Sequence, residues 1–328
     1  RERQEAKEAK AQREREKKAA KLARSPKAAA ATLPPAPELT SSAVFHASPT
    51  PRAPVTPQRD FRHDTANVAP AWHSIVMRCM DTKAPVLDLS GQGITVDTFP
   101  TLLDCIFHWD KSGRPIYLLT HVTELNLSGN ALNLQCTQRL TNVLPGLPRL
   151  TSLSVSNCGL DTSVLLSNLA QVAKGLKVLN IADNSYHVSC RQHFRWLSIL
   201  PLEKLDMGGL GLDDKDITEL CSQALLSLHN MQHLYLGRNR IGDLGIDHLG
   251  KAMVKGMPRL RRLSVESNSI SHVGAKLLAG TASQWTRQLR ELHIVSGNTL
   301  DSVMTRGLTH LRKALTSDKK QRAFGIVQ

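Results

Sequence analysis

Residues 231–239 read MQHLYLGRN, and residues 260–268 read LRRLSVESN. The shared pattern LxxLxLxxN returns at 122–130 (VTELNLSGN) and 176–184 (LKVLNIADN). At 150–158 (LTSLSVSNC) Cys158 takes the Asn place, a substitution such a repeat tolerates. Weaker copies lie outward from these. Leu87 and Leu89 lead to Gln92, Leu205 and Met207 lead to Leu210, and Leu292 and Ile294 put Asn298 one residue late. Eight copies result, with key positions at 92, 130, 158, 184, 210, 239, 268 and 297, spaced 38, 28, 26, 26, 29, 29 and 29 residues apart.

The unit has a physical reading. Two inward Leu-type residues mark a short strand, a turn follows, and a helix returns. No unit buries its own apolar side, so stability comes from stacking on neighbours. Asn carries both donor and acceptor groups and can bond the backbone where each strand turns. Stacked asparagines make a ladder, in which Cys158 serves weakly and Leu210 not at all. In IGDLGIDHL (241–249) and ISHVGAKL (270–277), Gly245 and Gly274 predict close helix–strand packing.

A period of 28–29 with a helix in each unit resembles the ribonuclease-inhibitor-like class of leucine-rich repeats, over roughly residues 85–315. The resemblance implies an α/β leucine-rich-repeat solenoid, a horseshoe with parallel strands on the concave face and helices on the convex face. It speaks to fold and leaves any reaction open. The spacing of 38 departs from the class, and its extra residues around His108–Pro115 predict an inserted loop. The expected domains are a charged arm (1–24), a Pro/Ala/Ser-rich linker (25–75), a solenoid of about eight repeats (76–316) and a basic tail (317–328). The arm alternates Glu with Lys and Arg at helical spacing, and nine of the sixteen prolines fall in residues 25–70. The chain starts at Arg1, which reads as a processed or partial product.

Residues alternating with the inward leucines point out of the concave face. Those of the first repeats are small and polar. Larger groups gather at the C-terminal end, and the expected protein-binding set is His233, Tyr235, Arg262, Glu266, Glu291 and His293. Tyr and Arg dominate interface hot spots.

The formal net charge is +14, with about +6 in residues 1–75 and +8 in the rest. Such an excess points to polyanionic partners, whether RNA or an acidic protein such as tubulin. The expected polyanion-binding set is Arg13, Arg15, Lys17, Lys18 and Lys21 in the arm, with Arg238, Arg240, Arg259 and Arg261 in the repeats. No RNA-recognition motif or zinc finger accompanies them.

Catalytic signatures are absent from the sequence: no P-loop, no GxSxG, no HExxH. His187, Cys190 and His193 have metal-like spacing, yet on an α-helix they spread too far around the axis to share an ion. Residues 213–216 (DDKD) read as a helix N-terminus, where acids favour the dipole. Six cysteines without a CxxC pair read as reduced thiols. No stretch approaches the roughly 18 apolar residues of a membrane span, so a soluble chain is expected. The expectation is a non-catalytic scaffold subunit without cofactor or metal, binding protein subunits of a large complex. A ribonucleoprotein of the mitochondrial matrix, such as a mitochondrial ribosome or its assembly intermediate, comes first. The alternatives are a cytoskeletal or axonemal scaffold, resembling repeats of tropomodulin-type and dynein-regulatory proteins, and a GTPase-activating or inhibitor-type regulator. These would sit in the cytoplasm or flagellar axoneme.

Overall fold

The structure, a computed structural model, describes residues 70–109, 115–282, 289–299 and 325–327. Helix α1 (Ala71–Thr82) opens the described chain, its buried Trp72, Val76 and Cys79 recurring every three or four residues. This helix begins inside the stretch expected to be linker, because that spacing supplies an apolar stripe the Pro-rich segment lacks.

The parallel sheet runs in sequence order: β1 (Val86–Asp88), β4 (Glu124–Asn126), β5 (Ser152–Ser154), β6 (Val178–Asn180), β7 (Lys204–Asp206), β8 (His233–Tyr235), β9 (Arg262–Ser264), β10 (Glu291–His293) and β11 (Gly325–Val327). The first eight strands are the eight repeats of the sequence. The ninth comes from the stretch expected to be a basic tail: Gly325, Ile326 and Val327 pair in register with β10. The inserted loop is a hairpin, with β2 (Phe107–Trp109) antiparallel to β3 (Pro115–Tyr117).

Helices return between strands: α2 (Phe99–Ile106), α3 (Leu134–Val143), α4 (Thr162–Val172), α5 (Asp214–Gln223), α6 (Asp243–Gly256) and α7 (His272–Ala282). The fourth repeat instead returns through a 3-10 helix, Val188–Ile199. Strands sit about 4.8 Å apart and packed helices about 8–10 Å apart, so the stack bends toward its strands. The strand face is therefore the concave one.

The core is a column of stacked leucines. Leu87, Leu125, Leu153, Leu179, Leu205, Leu234, Leu263 and Leu292 occupy the middle of their strands, and all are buried. Burying each such side chain stabilises by about 1.5–3 kcal/mol. No helix among the described residues is long and apolar enough to cross a membrane.

Beside this column runs the expected ladder. The Asn239 side chain accepts from Leu210 N–H at 3.1 Å and Leu212 N–H at 3.0 Å, and donates to Met207 O and Leu236 O. Asn184 joins adjoining repeats in the same way. Cys158 donates its thiol to Leu127 O at 3.1 Å, half of what Asn does. In the eighth repeat the rung is Asn298, not position 297: its Oδ1 accepts from Asn268 N–H and Ile270 N–H. Gly297, at φ +69°, stands immediately before this rung, so the extra residue falls earlier, at Val295–Ser296.

A feature the sequence did not announce accompanies the ladder. The residue before each rung is left-handed in all eight repeats: Gly91, Gly129, Asn157, Asp183, Gly209, Arg238, Ser267 and Gly297. Four are glycine, for which this conformation is free of steric penalty.

Gly245 and Gly274 also act differently from expectation. Their close approach is chiefly to the preceding helix start: a Cβ on Gly245 would lie 2.5 Å from Asp214 Oδ1, and one on Gly274 2.3 Å from Asp243 Oδ1. Those carboxylates accept from the next repeat, Asp214 from Gly242 N–H at 2.6 Å and Asp243 from Ser271 N–H at 2.8 Å.

Candidate functional site

Strand register decides which side chains meet. Lys204, His233, Arg262 and Glu291 stand side by side across β7–β10, and Asp206, Tyr235, Ser264 and His293 form the next row. Five residues of the expected protein-binding set are thus brought together on these rows. Glu266 stands two positions beyond Ser264 on the same face.

The contacts are specific. Arg262 Nη2 lies 2.6 Å from Glu291 Oε2, and its Nη1 donates to Tyr235 Oη at 3.4 Å. His293 Nε2 approaches the same Glu291 carboxylate at 3.5 Å. The rings of His233 and Tyr235 stack with centroids 6.5 Å apart, and Lys204 Nζ sits 5.4 Å from the Tyr235 centroid. Lys204 enters the site through register alone. A cation over a tyrosine face is attracted by the ring quadrupole.

The electrostatics follow. The Arg262 hydrogen bond holds the Glu291 carboxyl below its ordinary range. Burial pushes the His233 imidazole down, and Arg262, Lys204 and Arg261 push it further, against Glu291. Burial raises Asp206, opposed by Gly208 N–H and Lys204. His233 Nδ1, Arg262 Nε and Glu266 Oε2 are desolvated without a hydrogen-bond partner. Most buried polar atoms of folded proteins have partners, so these three remain open to further hydrogen bonds.

The polyanion set fares otherwise. Arg13, Arg15, Lys17, Lys18 and Lys21 lie outside the described residues. Arg238 and Arg240 follow β8, whereas Arg259 and Arg261 precede β9. Parallel strands put those ends on opposite edges of the solenoid, so the four arginines do not form one patch. Arg238 is moreover paired with Asp183, and Arg259 donates to Asn230 Oδ1 at 3.0 Å.

Other chemistry is structural. Residues 213–216 start α5, where Asp213 and Asp216 form a reciprocal capping box. Asp216, 2% exposed, also accepts from Tyr186 Oη and Arg191 Nε. In the 3-10 helix, residues three apart share a face, which removes the α-helical argument against His187, Cys190 and His193. Their side chains nonetheless part: Cys190 is buried, while His187 is exposed and caps Ser189 N–H. No metal-binding group of three His, Cys, Asp or Glu occurs among the described residues. The six cysteines are free thiols. On the helical side a groove of about 230 Å³ is lined by Thr218, Cys221, Leu226, His248, Lys251 and Lys255. Burial pushes the Cys221 thiol up to about 12, which keeps it protonated and unreactive.

The Leucine Rich repeat family profile matches residues 119–135 and 227–250. The chain is built of leucine-rich repeats similar to those of the ribonuclease-inhibitor-like class. It is 28% identical over 181 residues to the Ribonuclease inhibitor of Sus scrofa, covering 54% of this chain and 40% of that protein. It is likewise 28% identical over 165 residues to NACHT, LRR and PYD domains-containing protein 3 of Rattus norvegicus, covering 46% of this chain and 15% of that protein. The matched stretch therefore spans less than half the length of either relative. Leucine-rich repeats as a family serve as protein-interaction scaffolds.

Proposed function

We propose that the chain is a non-catalytic protein-binding module whose partner seats on the concave face of β7–β10. One observation carries this reading: Lys204, His233, Tyr235, Arg262, Glu266 and Glu291 converge there, with desolvated polar atoms left unpaired. Aromatic and Arg anchors beside unsatisfied polar groups are what an interface hot spot offers.

The finer reading is a scaffold subunit of a ribonucleoprotein in the mitochondrial matrix, such as a mitochondrial ribosome or its assembly intermediate. Its support is the net charge of +14 and the basic arm, which would run along the polyanion. A second reading, an inhibitor-type regulator, draws on the similarity to Ribonuclease inhibitor.

Affinity purification of the full chain, with and without nuclease, tests these together. Partner proteins should persist through nuclease and be lost from the Tyr235→Ala/Arg262→Ala variant. Ribosomal RNA and ribosomal proteins in the untreated eluate support the ribonucleoprotein reading. A single stoichiometric enzyme supports the regulator, and tubulin or flagellar proteins the cytoskeletal alternative. Partners indifferent to the double substitution contradict the concave site itself.

A further inference from the structure

The charges on this face are unequally spent. Arg262 is neutralised by Glu291 at 2.6 Å. Lys204 makes no ion pair with any described residue, and its ammonium is held over the Tyr235 ring. Glu266, half-buried two positions beyond Ser264, makes no side-chain hydrogen bond or ion pair with any described residue, and its Oε2 is desolvated. Among the described residues of this face, Lys204 is left as a cation and Glu266 as an anion, with an aromatic ring between them; Asp206, two positions along from Lys204, accepts from Gly208 N–H.

Their placement is set by register. Lys204 opens β7, Tyr235 closes β8, and Glu266 follows β9. Two strand spacings across and four residues along give a diagonal of about 16 Å with Tyr235 near its middle. Gly208 and Gly237 stand on the same face beside this line, so no bulky side chain overhangs it there. A Cβ on Gly237 would lie 2.7 Å from Glu266 Oε1, so its absence also makes room for that carboxylate. The neutral imidazole of His233, next to Lys204 in register, adds a hydrogen-bonding group at the cationic end.

We propose that this diagonal recognises a protein segment bearing an acidic and a basic side chain about 16 Å apart, on either side of an apolar residue. The acid pairs with Lys204 beside His233, the apolar residue covers Tyr235, and the base pairs with Glu266. The two charged contacts satisfy groups that make no ion pair with any described residue in the free chain, and like charges at either end are rejected. The inference rests on reading this face as a protein-binding surface and adds the chemistry of its partner.

The probes are three helical peptides of about twelve residues, a length that spans the diagonal. All carry central leucines, and their terminal pairs are Glu/Lys, Glu/Glu or Lys/Lys. Affinities are read by fluorescence anisotropy on the full chain. The Glu/Lys peptide should bind about tenfold tighter than either other. Lys204→Glu should switch preference to Lys/Lys, and Glu266→Lys to Glu/Glu. A gained preference cannot come from unfolding. An unchanged ranking in both variants, or no binding by any peptide, overturns the charge diagonal. The partner proteins lost with Tyr235 and Arg262 in the purification above would still uphold the protein-binding face. Tightest binding of Glu/Glu by the unsubstituted chain would assign the face to a polyanion instead.

Discussion

Arg238 reaches over a whole repeat to Asp183, its Nη2 2.7 Å from Asp183 Oδ2 across the fifth repeat. Both residues are left-handed, with φ of 55° and 56°. Between them lies Gly209, also left-handed, where an added Cβ would fall 1.9 Å from Asp183 Oδ1. The pair exists because the intervening turn carries no side chain.

Gly209→Ala should therefore destabilise the solenoid by about 1–3 kcal/mol, combining left-handed strain with the clash. Arg238→Gly should be within about 1 kcal/mol of neutral, since it relieves the strain and loses only an exposed ion pair. Urea denaturation of both variants checks the contrast. Equal destabilisation would mean that the pair, not the turn, matters.

Asn239→Ala strips the buried N–H groups of Leu210 and Leu212 of their acceptor. The expected loss is about 2 kcal/mol or more. Hydrogen exchange should locate the change at residues 207–212 and 236–241, the two repeats this rung joins. A uniform change over the solenoid would argue against a local rung.

Asp216→Ala leaves Tyr186, Arg191 and the Asp213 N–H without their common acceptor. Arg191 is partly exposed and keeps Asp213, so the loss, chiefly from the unpaired donors, should be about 1–3 kcal/mol. The 3-10 helix should become susceptible to proteolysis first, because α5 holds it through this carboxylate. Retained protease resistance at residues 188–199 would contradict that role.

Folding depresses the pKa of His233, so the unfolded chain binds its proton more readily. Stability from this group is full above the unfolded value of about 6.5 and falls as pH drops from there toward the folded value. Burial sets this shift first, followed by Arg262, Lys204 and Arg261, with Glu291 acting against them. His233→Gln should flatten this part of the thermal-stability profile. A slope unchanged by the substitution would assign the titration elsewhere.

How much of this was written in the sequence differs by level. The inward leucines were legible because burial fixes residue type there, and the rungs at Asn130, Asn184, Asn239 and Asn268 because each must both accept from and donate to the backbone. The left-handed position was not, because Asn157, Asp183, Arg238 and Ser267 occupy it and no glycine pattern flags it. The final strand was hidden because Gly325–Val327 is short and stands among basic residues. The site was half legible. Alternation along each strand put Tyr235 and Arg262 on one face, but only register across strands sets Lys204 over the Tyr235 ring. The placement of the repeat arginines was hidden for the same reason: Arg238 and Arg261 are near in repeat order yet lie on opposite edges.

The central claim is that a protein seats on the concave face of β7–β10. Photocrosslinking tests it most directly, with p-benzoylphenylalanine placed at Tyr235 and, separately, at exposed Leu244 on α6. The account predicts discrete protein adducts from position 235 in native extract and none of the same mass from position 244. Adducts confined to position 244, or nucleic acid in place of protein at position 235, would contradict it.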